Sequence, residues 1–365
     1  MYPDSFLQTV FGNFETEITP TKFELCTIGH INTTYFVFCD DDFKYVLQKI
    51  NTNIFTNPCE LMENIINVTS FIRNKLIASG ADPKREVLNL IPCKNGGYSF
   101  ADDQNGVWRL YDAISDAQTY QSAEFPGLFY SSAFAFGRFQ RLLADFPAEK
   151  LHETIVNFHN TVSRFSDFEK AVDDNIAHRR DSVKPEIDFI RNHKDLCSYI
   201  VDRIENGKFP LRVTHNDTKL NNVMIDNKTH KALCVIDLDT VMPGSVLYDF
   251  GDSIRFGASS ATEDEHDLSK VYVKLDLFEE YLDGFLAGLD NALTVDEIKG
   301  LPFGAIVITF ETGIRFLTDY LNGDTYFATH YEGQNLYRTR TQLKLVSDML
   351  EKQKQMDKII NGKLG

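Results

Sequence analysis

The sequence predicts an α+β protein with two lobes, a small antiparallel sheet followed by a larger, mainly helical region. Over residues 23–111, short apolar runs are separated by turns, which is typical of strands. After Asp112, apolar residues recur mostly at three- and four-residue steps, which is typical of helices. A chain of 365 residues also exceeds the usual size of one compact domain. We therefore divide it into an N-terminal lobe over 1–111, a hinge over 112–116 and a C-terminal lobe over 117–365.

The first lobe is predicted to contain a hairpin, one helix and three further strands. Two apolar runs, 34–39 and 43–48, flank an acidic turn and predict the hairpin. Over 57–77, apolar residues at helical spacing predict an amphipathic helix that packs against the sheet. The apolar positions of this helix are Leu61, Ile65, Val68, Ile72 and Leu76. Further strand signals lie at 86–92, 98–101 and 107–111.

The second lobe is predicted to be helical, with one embedded hairpin. Apolar periodicity predicts helices near 131–143, 185–204, 275–287, 305–320 and 339–360. Two strand-like runs, 223–225 and 232–236, are joined by the polar turn Asp226-Asn-Lys-Thr-His. Acidic and amide residues flank this hairpin at both ends, as is common around metal sites.

Composition excludes several classes of function. A net charge of −16 argues against sequence-independent nucleic-acid binding, which needs a basic surface. The sequence has no run of about 18 apolar residues, so no membrane span is predicted. The first residues also lack the basic segment of a secretion signal. The six cysteines show no metal-binding spacing, so we interpret them as small buried hydrophobic residues in a reducing compartment. A cytoplasmic location is expected.

The segment from His215 to Asn222, His-Asn-Asp-Thr-Lys-Leu-Asn-Asn, carries the pattern H-x-D-x-x-x-x-N, and Asp237 ends the following hairpin. Phosphoryl transfer needs a carboxylate to orient the acceptor hydroxyl and oxygen ligands to hold Mg²⁺ on the phosphates. Asp217 is the predicted catalytic carboxylate, and Asn222 and Asp237 are the predicted Mg²⁺ ligands. His215 is expected to hold the loop through hydrogen bonds.

Each of these residues has a structural interpretation as well. A single Asp or Asn in a loop is usually a cap or an Asx turn, and a His beside a strand is usually structural. The functional interpretation depends on the combination, because the pattern precedes a strand, turn and strand that end in Asp237, within the helical half of a chain that begins with a sheet.

His215, Asp217, Asn222 and Asp237 resemble the catalytic and metal motifs of aminoglycoside phosphotransferases, choline kinases and related small-molecule kinases. This resemblance implies a bilobal protein-kinase-like fold and the use of ATP with Mg²⁺. The later Leu247-Tyr-Asp-Phe resembles a downstream element of these kinases, in which Asp249 would brace the catalytic loop. Asp249 as a helix N-cap is the structural alternative.

Longer segments resemble the N-acetylhexosamine 1-kinases in particular, over residues 29–345. They are Gly29-His-Ile-Asn-Thr-Thr-Tyr, Tyr45-Val-Leu-Gln-Lys-Ile-Asn, Arg212-Val-Thr-His-Asn-Asp-Thr-Lys-Leu-Asn-Asn, Pro243-Gly-Ser, Asp249-Phe-Gly-Asp-Ser-Ile-Arg-Phe-Gly, Arg315-Phe-Leu-Thr-Asp-Tyr-Leu-Asn-Gly-Asp-Thr-Tyr-Phe and Arg338-Thr-Arg-Thr-Gln. The resemblance implies a sugar acceptor, a conclusion that motif spacing alone does not support.

The same resemblance implies roles for other residues. His30, Arg315 and Tyr326 would contact the sugar, whereas Asn32, Thr33 and Lys219 would lie near the phosphates. Adenine would be read by the backbone of the hinge segment, at Tyr111 and Ala113. Structural alternatives remain open: 29–33 as an ordinary hairpin turn, Lys219 as a surface lysine, and Arg315 in an ion-pair ladder with Glu311 and Asp319 along one helix face.

One position departs from the wider group of kinases. A strand lysine usually steadies the α- and β-phosphates, and Gln48 stands at the expected place. Lys49 should lie on the opposite face of the strand, because side chains alternate. The N-acetylhexosamine 1-kinases also have Gln here, so this departure weakens the general assignment more than the specific one.

The leading hypothesis is ATP-dependent phosphorylation of an N-acetylhexosamine at its anomeric hydroxyl. A kinase for a cationic acceptor, such as an aminoglycoside or choline, is a second hypothesis that the acidic charge permits. A catalytically inactive nucleotide-binding regulator is a third, and a metal-dependent hydrolase built on Asp237, Asp239, Asp249 and Asp252 is a fourth. The sequence leaves open the preferred epimer, the nucleotide and the oligomeric state.

Overall fold

The computed structural model describes residues 2–27, 31–40 and 42–364, and these form two compact units. Unit 1 comprises Met1–Thr119, Lys150–Val156 and Asn222–Met242. Unit 2 comprises Tyr120–Glu149, Asn157–Asn221 and Pro243–Gly365. Unit 1 thus continues past the hinge placed at 112–116 and takes in two later segments of the chain.

The helices and strands are as follows. The helices are α1 (Asp4–Phe11), α2 (Pro58–Ala78), α3 (Pro83–Glu86), α4 (Leu128–Leu142), α5 (Thr161–Asp174), α6 (Lys184–Asn192), α7 (Ser198–Glu205), α8 (Val246–Gly257), α9 (Leu275–Leu289), α10 (Val295–Leu321) and α11 (Gln334–Lys363). The strands are β1 (Lys22–Leu25), β2 (Thr33–Cys39), β3 (Asp42–Lys49), β4 (Phe100–Ala101), β5 (Val107–Asp112), β6 (Ala117–Gln118), β7 (Arg212–Thr214), β8 (Val223–Asp226), β9 (Ala232–Val235) and β10 (Met242–Gly244).

Unit 1 contains an antiparallel five-stranded sheet in the order β1-β2-β3-β5-β4. The predicted hairpin is present as β2 and β3. On β2 the side chains of Tyr35, Val37 and Cys39 are buried while their neighbours are partly exposed, because alternate side chains point to opposite faces. Trp108 of β5 joins this buried face, and α1 covers it with the apolar side of its short helix.

The predicted helix over 57–77 is α2, which begins after the N-cap Asn57 and has Pro58 in its first turn. Its buried Asn64 binds two later parts of the chain: its amide nitrogen donates to the carbonyl oxygens of His152 and Val241, at 2.8 and 3.0 Å. These bonds connect the segments 150–156 and 222–242 to the first part of unit 1.

The strand predicted over 86–92 is wrong. Pro83 begins the short helix α3, and the Asp82 carboxylate accepts the Lys84 N–H at 3.0 Å. Within 87–92 only Leu90 makes a strand-like bridge, to Tyr111. The apolar residues of this segment are buried without forming a ladder.

The hairpin predicted near the metal motif is present as β8 and β9, with β6 pairing on the other side of β8. Its turn is stabilised by Asp226, whose carboxylate accepts the N–H groups of Lys228 and Thr229 at 3.0 and 2.7 Å. Arg85 forms an ion pair with the same carboxylate at 2.9 Å. The hairpin therefore has a rigid turn at one end and presents Asn222 and Asp237 at the other.

Unit 2 is built on three closely packed helix pairs, α4 with α9, α8 with α10, and α10 with α11. A Cβ atom added to Gly251 of α8 would lie 2.5 Å from the Gly304 carbonyl oxygen of α10. These two helices therefore approach as closely as they do because neither has a side chain at the contact. Strand β7 pairs with β10, whose residues Pro243 and Gly244 belong to this unit.

The helices of unit 2 differ from the prediction in three ways. The helix predicted over 185–204 is broken into α6 and α7 by a turn at Lys194–Leu196. Helix α10 begins at Val295, ten residues earlier than predicted, after a capping box formed by Thr294 and Glu297. Helices α5 and α8 were not predicted from periodicity, and neither was α1 of unit 1.

Helix α10 is the one helix of the described residues that is long and apolar enough to cross a membrane. Its most apolar window is 83% buried within the protein, as expected for a core helix. The cysteines are mostly buried, but Cys59 is exposed, contrary to the interpretation of all six as buried residues.

Candidate active site

The predicted catalytic loop follows β7 in unit 2 and is anchored at its first residues. His215 is completely buried, with its ring 5.4 Å from that of Phe136 and 5.9 Å from that of Phe139. Its backbone N–H donates to Asp249 Oδ2 at 3.0 Å, and that of Asn216 donates to Asp249 Oδ1 at 2.8 Å. Asp249 therefore holds the loop through the backbone.

Asp249 lies inside the first turn of α8 and is completely buried. The N-cap of α8 is Ser245, so the interpretation of Asp249 as an N-cap is wrong. Burial raises the pKa of Asp249, although His215, the two loop N–H groups and the amide of Gln140 act in the opposite direction. These donors compensate a carboxylate in an otherwise apolar place.

A second carboxylate of α8 anchors the next part of the loop. Asp252 Oδ2 accepts the Thr218 N–H at 2.9 Å, and the Thr218 hydroxyl donates to the Asp249 carbonyl at 2.6 Å. Burial acts to raise the pKa of Asp252, but Arg255, at 2.9 Å, holds it below its usual value. His215, Asn216 and Thr218 are thus all bound to α8, which limits the positions open to Asp217 between them.

Asp217 lies between these anchors, and its carboxylate is 3.1 Å from the ammonium of Lys219. The two side chains keep about a quarter and a third of their surface exposed, at 26% and 32%. The Asp217 N–H approaches His215 Nδ1 at 3.3 Å. Asp217 is therefore a partly exposed carboxylate on a fixed loop with a cation beside it, an arrangement that can orient a hydroxyl group and stabilise charge on a phosphoryl group.

Asn222 and Asp237, the predicted Mg²⁺ ligands, lie together in unit 1. Asn222 precedes β8 and Asp237 follows β9, one residue beyond Ile236, whose N–H donates to the Asn222 carbonyl at 2.9 Å. Asp237 has a left-handed backbone, with φ of 59°. The hairpin register therefore brings the amide and the carboxylate to the same end of two paired strands.

The donor set at this end of the hairpin fits Mg²⁺. Asn222 and Asp237 offer the carboxylate and amide oxygens that this ion prefers. Asp239, two residues further on, is 2% exposed, and its Oδ1 atom lies 2.6 Å from Arg109 Nη1, so this carboxylate is already paired with a cation.

Asn32 and Thr33, the residues expected near the phosphates, are also part of unit 1. The Asn32 amide donates to Asp239 Oδ2 at 2.5 Å, and its oxygen accepts the Asn51 N–H at 3.0 Å. Thr33 begins β2 opposite Lys49. Asn32 is thus joined to the acidic end of the hairpin, whereas His30 lies outside the described residues.

Gln48, which stands where a strand lysine was expected, is paired with Arg109 on the neighbouring strand. Its amide oxygen accepts Arg109 Nε and Nη2 at 3.0 and 2.9 Å, and its amide nitrogen donates to the Thr34 hydroxyl at 3.0 Å. Arg109 in turn contacts Asp239, with Nη1 and Oδ1 2.6 Å apart. Lys49 lies on the other face, as predicted, and donates to the Tyr2 hydroxyl at 2.5 Å.

The predicted adenine segment is the end of β5. The Tyr111 side chain is buried, burial raises its pKa, and the Arg109 guanidinium lies 5.2 Å from the centre of its ring. The Ala113 N–H already donates to the Lys44 carbonyl at 2.8 Å. The Ala113 N–H is therefore already engaged within unit 1, which narrows the earlier expectation that both backbone groups of Ala113 bind the base.

Arg315 and Tyr326, the predicted sugar contacts, meet in unit 2. The Arg315 guanidinium lies 5.9 Å from the Tyr326 ring centre, and 5.1 and 5.5 Å from those of Phe158 and Phe327. The ion-pair ladder is not formed: Asp319 instead accepts the N–H groups of residues 325–327. These three bonds fix the segment that carries Tyr326, whose side chain is 58% exposed.

Glu311, the other proposed member of that ladder, is bound to His159 and Thr161. Its oxygens lie 2.7 Å from His159 Nδ1 and 2.6 Å from the Thr161 hydroxyl. Burial acts to raise the pKa of Glu311, but His159 and Arg315 hold it below its usual value. The Nε2 atom of His159 is buried and has no hydrogen-bond partner among the described residues.

Sequence reasoning missed both buried ion pairs, Arg109 with Asp239 and His159 with Glu311. No spacing rule connects them, since each pair joins residues far apart in the chain. The one available signal was Gln48, because a neutral residue at a position that usually carries a cation indicates that the charge comes from elsewhere.

Unit 1 contains a sheet and a hairpin with acidic residues at one end, and unit 2 is helical and contains an anchored H-x-D loop. These features define a phosphotransferase with a protein-kinase-like fold. The chain belongs to the phosphotransferase enzyme family (APH), which it matches over residues 23–272.

Solved structures confirm this fold at low sequence identity. An aminoglycoside phosphotransferase from Alicyclobacillus acidocaldarius is 10% identical, with a TM-score of 0.60 and 98% of this chain and 97% of that chain covered. A choline/ethanolamine kinase family protein from Mesorhizobium loti is 12% identical, with a TM-score of 0.59 and 98% of both chains covered. An amicoumacin kinase, solved with AMP-PNP, Ca²⁺ and Ami, is 12% identical, with a TM-score of 0.58 and 94% and 93% covered.

Proposed function

We propose that this protein transfers the γ-phosphoryl group of ATP to the anomeric hydroxyl of an N-acetylhexosamine, giving a sugar 1-phosphate. Membership of the phosphotransferase family supports the reaction class. The acceptor is supported by the resemblance of the chain to N-acetylhexosamine 1-kinases and by the chemistry of the residues around Arg315. The protein is expected to act on this small molecule in the cytoplasm.

Each residue of the candidate site has a separate role in the proposed reaction. Asp217 accepts a hydrogen bond from the acceptor hydroxyl and takes its proton as the new O–P bond forms. Lys219, beside Asp217, stabilises negative charge on the phosphoryl group. Asn222 and Asp237 would hold Mg²⁺, which when bound neutralises phosphate charge. The leaving group is ADP.

The observation that carries the acceptor assignment is the electrostatic character of the Arg315 surroundings. Arg315 stacks on aromatic rings, and Arg164 lies close enough that burial and the Arg315 charge together lower its pKa. The nearby carboxylate of Glu311 is already bound by His159 and Thr161. Two guanidinium groups repel a cationic acceptor, whereas a neutral sugar is suited to fixed donors next to an aromatic surface.

The amicoumacin, aminoglycoside and choline kinases that share the fold do not decide the acceptor, because the identity to each is near 10%. A catalytically inactive regulator is disfavoured because Asp217, Asn222 and Asp237 are all present. A metal-dependent hydrolase is disfavoured because Asp249 and Asp252 are occupied in anchoring the loop.

The test is an ATP-consumption assay with Mg²⁺ over N-acetylglucosamine, N-acetylgalactosamine, choline and kanamycin, with the position of phosphate determined by NMR. We expect the acetylated hexosamines alone to react, at C1. Asp217→Asn should lower kcat by about 10²- to 10⁴-fold, the usual contribution of a positioned acid or base. Asp181→Asn, an exposed carboxylate of the same unit, is the matched control and should leave kcat unchanged.

Other results have definite meanings. Reaction of choline or kanamycin alone would show that the Arg315 surroundings do not bind the acceptor and would replace the sugar assignment. Nucleotide binding without turnover of any acceptor would favour the regulator. ATP-independent hydrolysis would favour the hydrolase.

A further inference from the structure

The acidic end of the β8–β9 hairpin needs a cation supplied by the protein. Asp237 and Asp239 lie two residues apart, and Asp239 is almost completely buried. A buried carboxylate is stable only when it is paired with a cation or well hydrogen-bonded. Nucleotide phosphates brought to this hairpin end would add further negative charge. A fixed cation at Asp239 therefore serves both folding and nucleotide binding.

Arg109 is a cation in contact with this acidic turn. Its Nη1 atom is 2.6 Å from Asp239 Oδ1, and the two side chains are 1% and 3% exposed. Coulombic attraction at this distance, away from water, is strong and weakly screened by salt. Arg109 therefore fixes Asp239 and limits the movement of the turn that begins at Asp237.

Gln48 orients Arg109 from the neighbouring strand. The two residues are directly opposite in the β3–β5 register, so their side chains lie on one face of the sheet. The Gln48 amide oxygen accepts two N–H groups of Arg109, and its amide nitrogen is bound to Thr34. A lysine at 48 could not accept these bonds and would place like charges together. The neutral side chain at 48 and the arginine at 109 thus fit each other as a pair.

The contact leaves neither partner free. Arg109 Nη1 and Asp239 Oδ1 are buried and lie 2.6 Å apart, so each is the partner of the other in an ion pair. Unpaired polar groups are costly in such a place. Loss of the guanidinium would therefore leave the Asp239 carboxylate without its cation and would loosen the turn that begins at Asp237.

We propose that Arg109, oriented by Gln48, is a positioning residue for the hairpin end at which nucleotide and Mg²⁺ would bind. Its guanidinium on β5 supplies the positive charge that β3 lacks at position 48. It acts through Asp239 on the turn that holds Asp237. This inference rests on the proposed use of ATP with Mg²⁺, but not on the identity of the acceptor.

The test moves the positive charge from β5 to β3. We compare Arg109→Gln with the double variant Gln48→Lys plus Arg109→Gln, which returns a cation to β3. The readouts are circular dichroism and the Kd of AMP-PNP with Mg²⁺, measured by calorimetry without any acceptor. The Mg²⁺ concentration needed for half-maximal nucleotide binding is measured on the same samples. A purely structural role would change the melting temperature without changing this metal dependence.

Arg109→Gln should raise the Kd by about 10- to 100-fold, the range expected when hydrogen bonds to a charged group are lost. The double variant should recover at least tenfold of that loss. Lys49→Gln is the matched control, because it removes a cation from β3, next to Gln48 but on the opposite face of the sheet, where Lys49 contacts Tyr2. It should leave the Kd unchanged.

Three outcomes would overturn the proposal. One is a folded Arg109→Gln protein that binds nucleotide and Mg²⁺ as well as the wild type. Another is a double variant that folds but binds no better than Arg109→Gln. The third is failure of both variants to fold, which would make Arg109 a structural residue. If Arg109→Gln alone fails to fold, a folded double variant with near-wild-type Kd supports the proposal. A wrong acceptor assignment would leave all these binding results unchanged.

Discussion

The position of Arg315 in the sequence allows two roles, a member of an ion-pair ladder or a contact to the acceptor, and its surroundings favour the second. Spacing alone favours a ladder with Glu311 and Asp319, yet both carboxylates are bound to other groups and the guanidinium lies over aromatic rings. The guanidinium is thus not used in the ladder, which supports the proposal that Arg315 donates hydrogen bonds to the acceptor molecule.

Replacing Arg315 by Gln should weaken acceptor binding selectively. The KM for the acetylated hexosamine should rise by about 10- to 100-fold, because hydrogen bonds from a charged donor are lost. The Kd of AMP-PNP should not change. Steady-state kinetics with the sugar varied measures the KM, and calorimetry measures the Kd of AMP-PNP. Arg191→Gln, which breaks an exposed ion pair with Glu169, is the control, and an unchanged KM in Arg315→Gln would contradict the assigned role.

Glu311 should make a pH-dependent contribution to stability. His159 and Arg315 outweigh the effect of burial and hold its pKa below the ordinary 4.5. The unfolded chain therefore binds a proton more readily than the folded one, so the contribution is fully present above about pH 4.5 and is lost as the pH falls below that value.

The measurement is urea unfolding of the wild type and Glu311→Gln between pH 3.5 and 7. The wild type should be the more stable above pH 5.5, and the difference in the free energy of unfolding should shrink below pH 4.5. A difference that stays constant down to pH 3.5 would show that Glu311 is not held as a carboxylate by His159.

Among the elements, the sequence predicted those with a clear period and missed those without one. The β2–β3 hairpin was predicted because two short apolar runs flank an acidic turn, and α2 because its apolar residues recur at helical spacing. Helix α10 was predicted to begin too late because Gly300, Pro302 and Gly304 interrupt its apolar pattern. The capping box before it, Thr294 to Glu297, was the signal that could have located its start.

The candidate site shows the same limit. Asp217 and Asn222 could be predicted because they belong to one continuous motif, and Asp237 because it directly follows the hairpin that comes after this motif. The partners that hold them are distant in sequence: Asp249 anchors the loop from α8, and Arg109 reaches Asp239 from β5. Such pairs depend on tertiary packing, which a single sequence does not reveal.

The close contact between α8 and α10 should make Gly251 intolerant of a side chain. Gly251→Ala would place a methyl group 2.5 Å from a carbonyl oxygen of α10, and backbone cannot move aside as a flexible side chain can. We expect a loss of about 1–3 kcal/mol in the free energy of unfolding, as is usual for overpacking. Activity should fall as well, because α8 carries Asp249 and Asp252.

Urea unfolding and kcat measure these two effects. Gly362→Ala is the matched control, because it lies in α11 with no atom within 4 Å of the added methyl group. Alanine is the better helix former, so the control should be neutral or slightly stabilising. A Gly251→Ala protein as stable as the control would show that the helices can separate at little cost.

For the whole molecule, the division into units explains why the predicted lobe boundaries differ from the observed ones. The predicted hinge at 112–116 precedes β6, and β6 pairs with β8, about a hundred residues later in the chain. Unit 1 therefore takes up the β8–β9 hairpin and with it Asn222 and Asp237. A boundary drawn from local composition cannot recover a unit made of three separate segments.

Since the predicted metal ligands belong to a folded hairpin of unit 1, nucleotide with Mg²⁺ should stabilise the full-length protein in proportion to its binding. At 100 times its Kd, a ligand specific for the folded state adds about 2.7 kcal/mol. AMP-PNP with Mg²⁺ should therefore raise the melting temperature by several degrees, since about 1 kcal/mol corresponds to roughly 2–4 °C in chains somewhat shorter than this one. EDTA should remove most of the shift.

Asp237→Asn should abolish the same shift, measured against its own unliganded melting temperature so that any loss of intrinsic stability cancels. Asp103→Asn, an exposed carboxylate elsewhere in unit 1, is the control and should keep the full shift. The amide of Asn offers one neutral oxygen where Asp offers two charged ones, so it binds a hard divalent cation much more weakly. A shift that survives both EDTA and Asp237→Asn would mean that nucleotide binds without the metal, and that Asp237 has a role other than holding Mg²⁺.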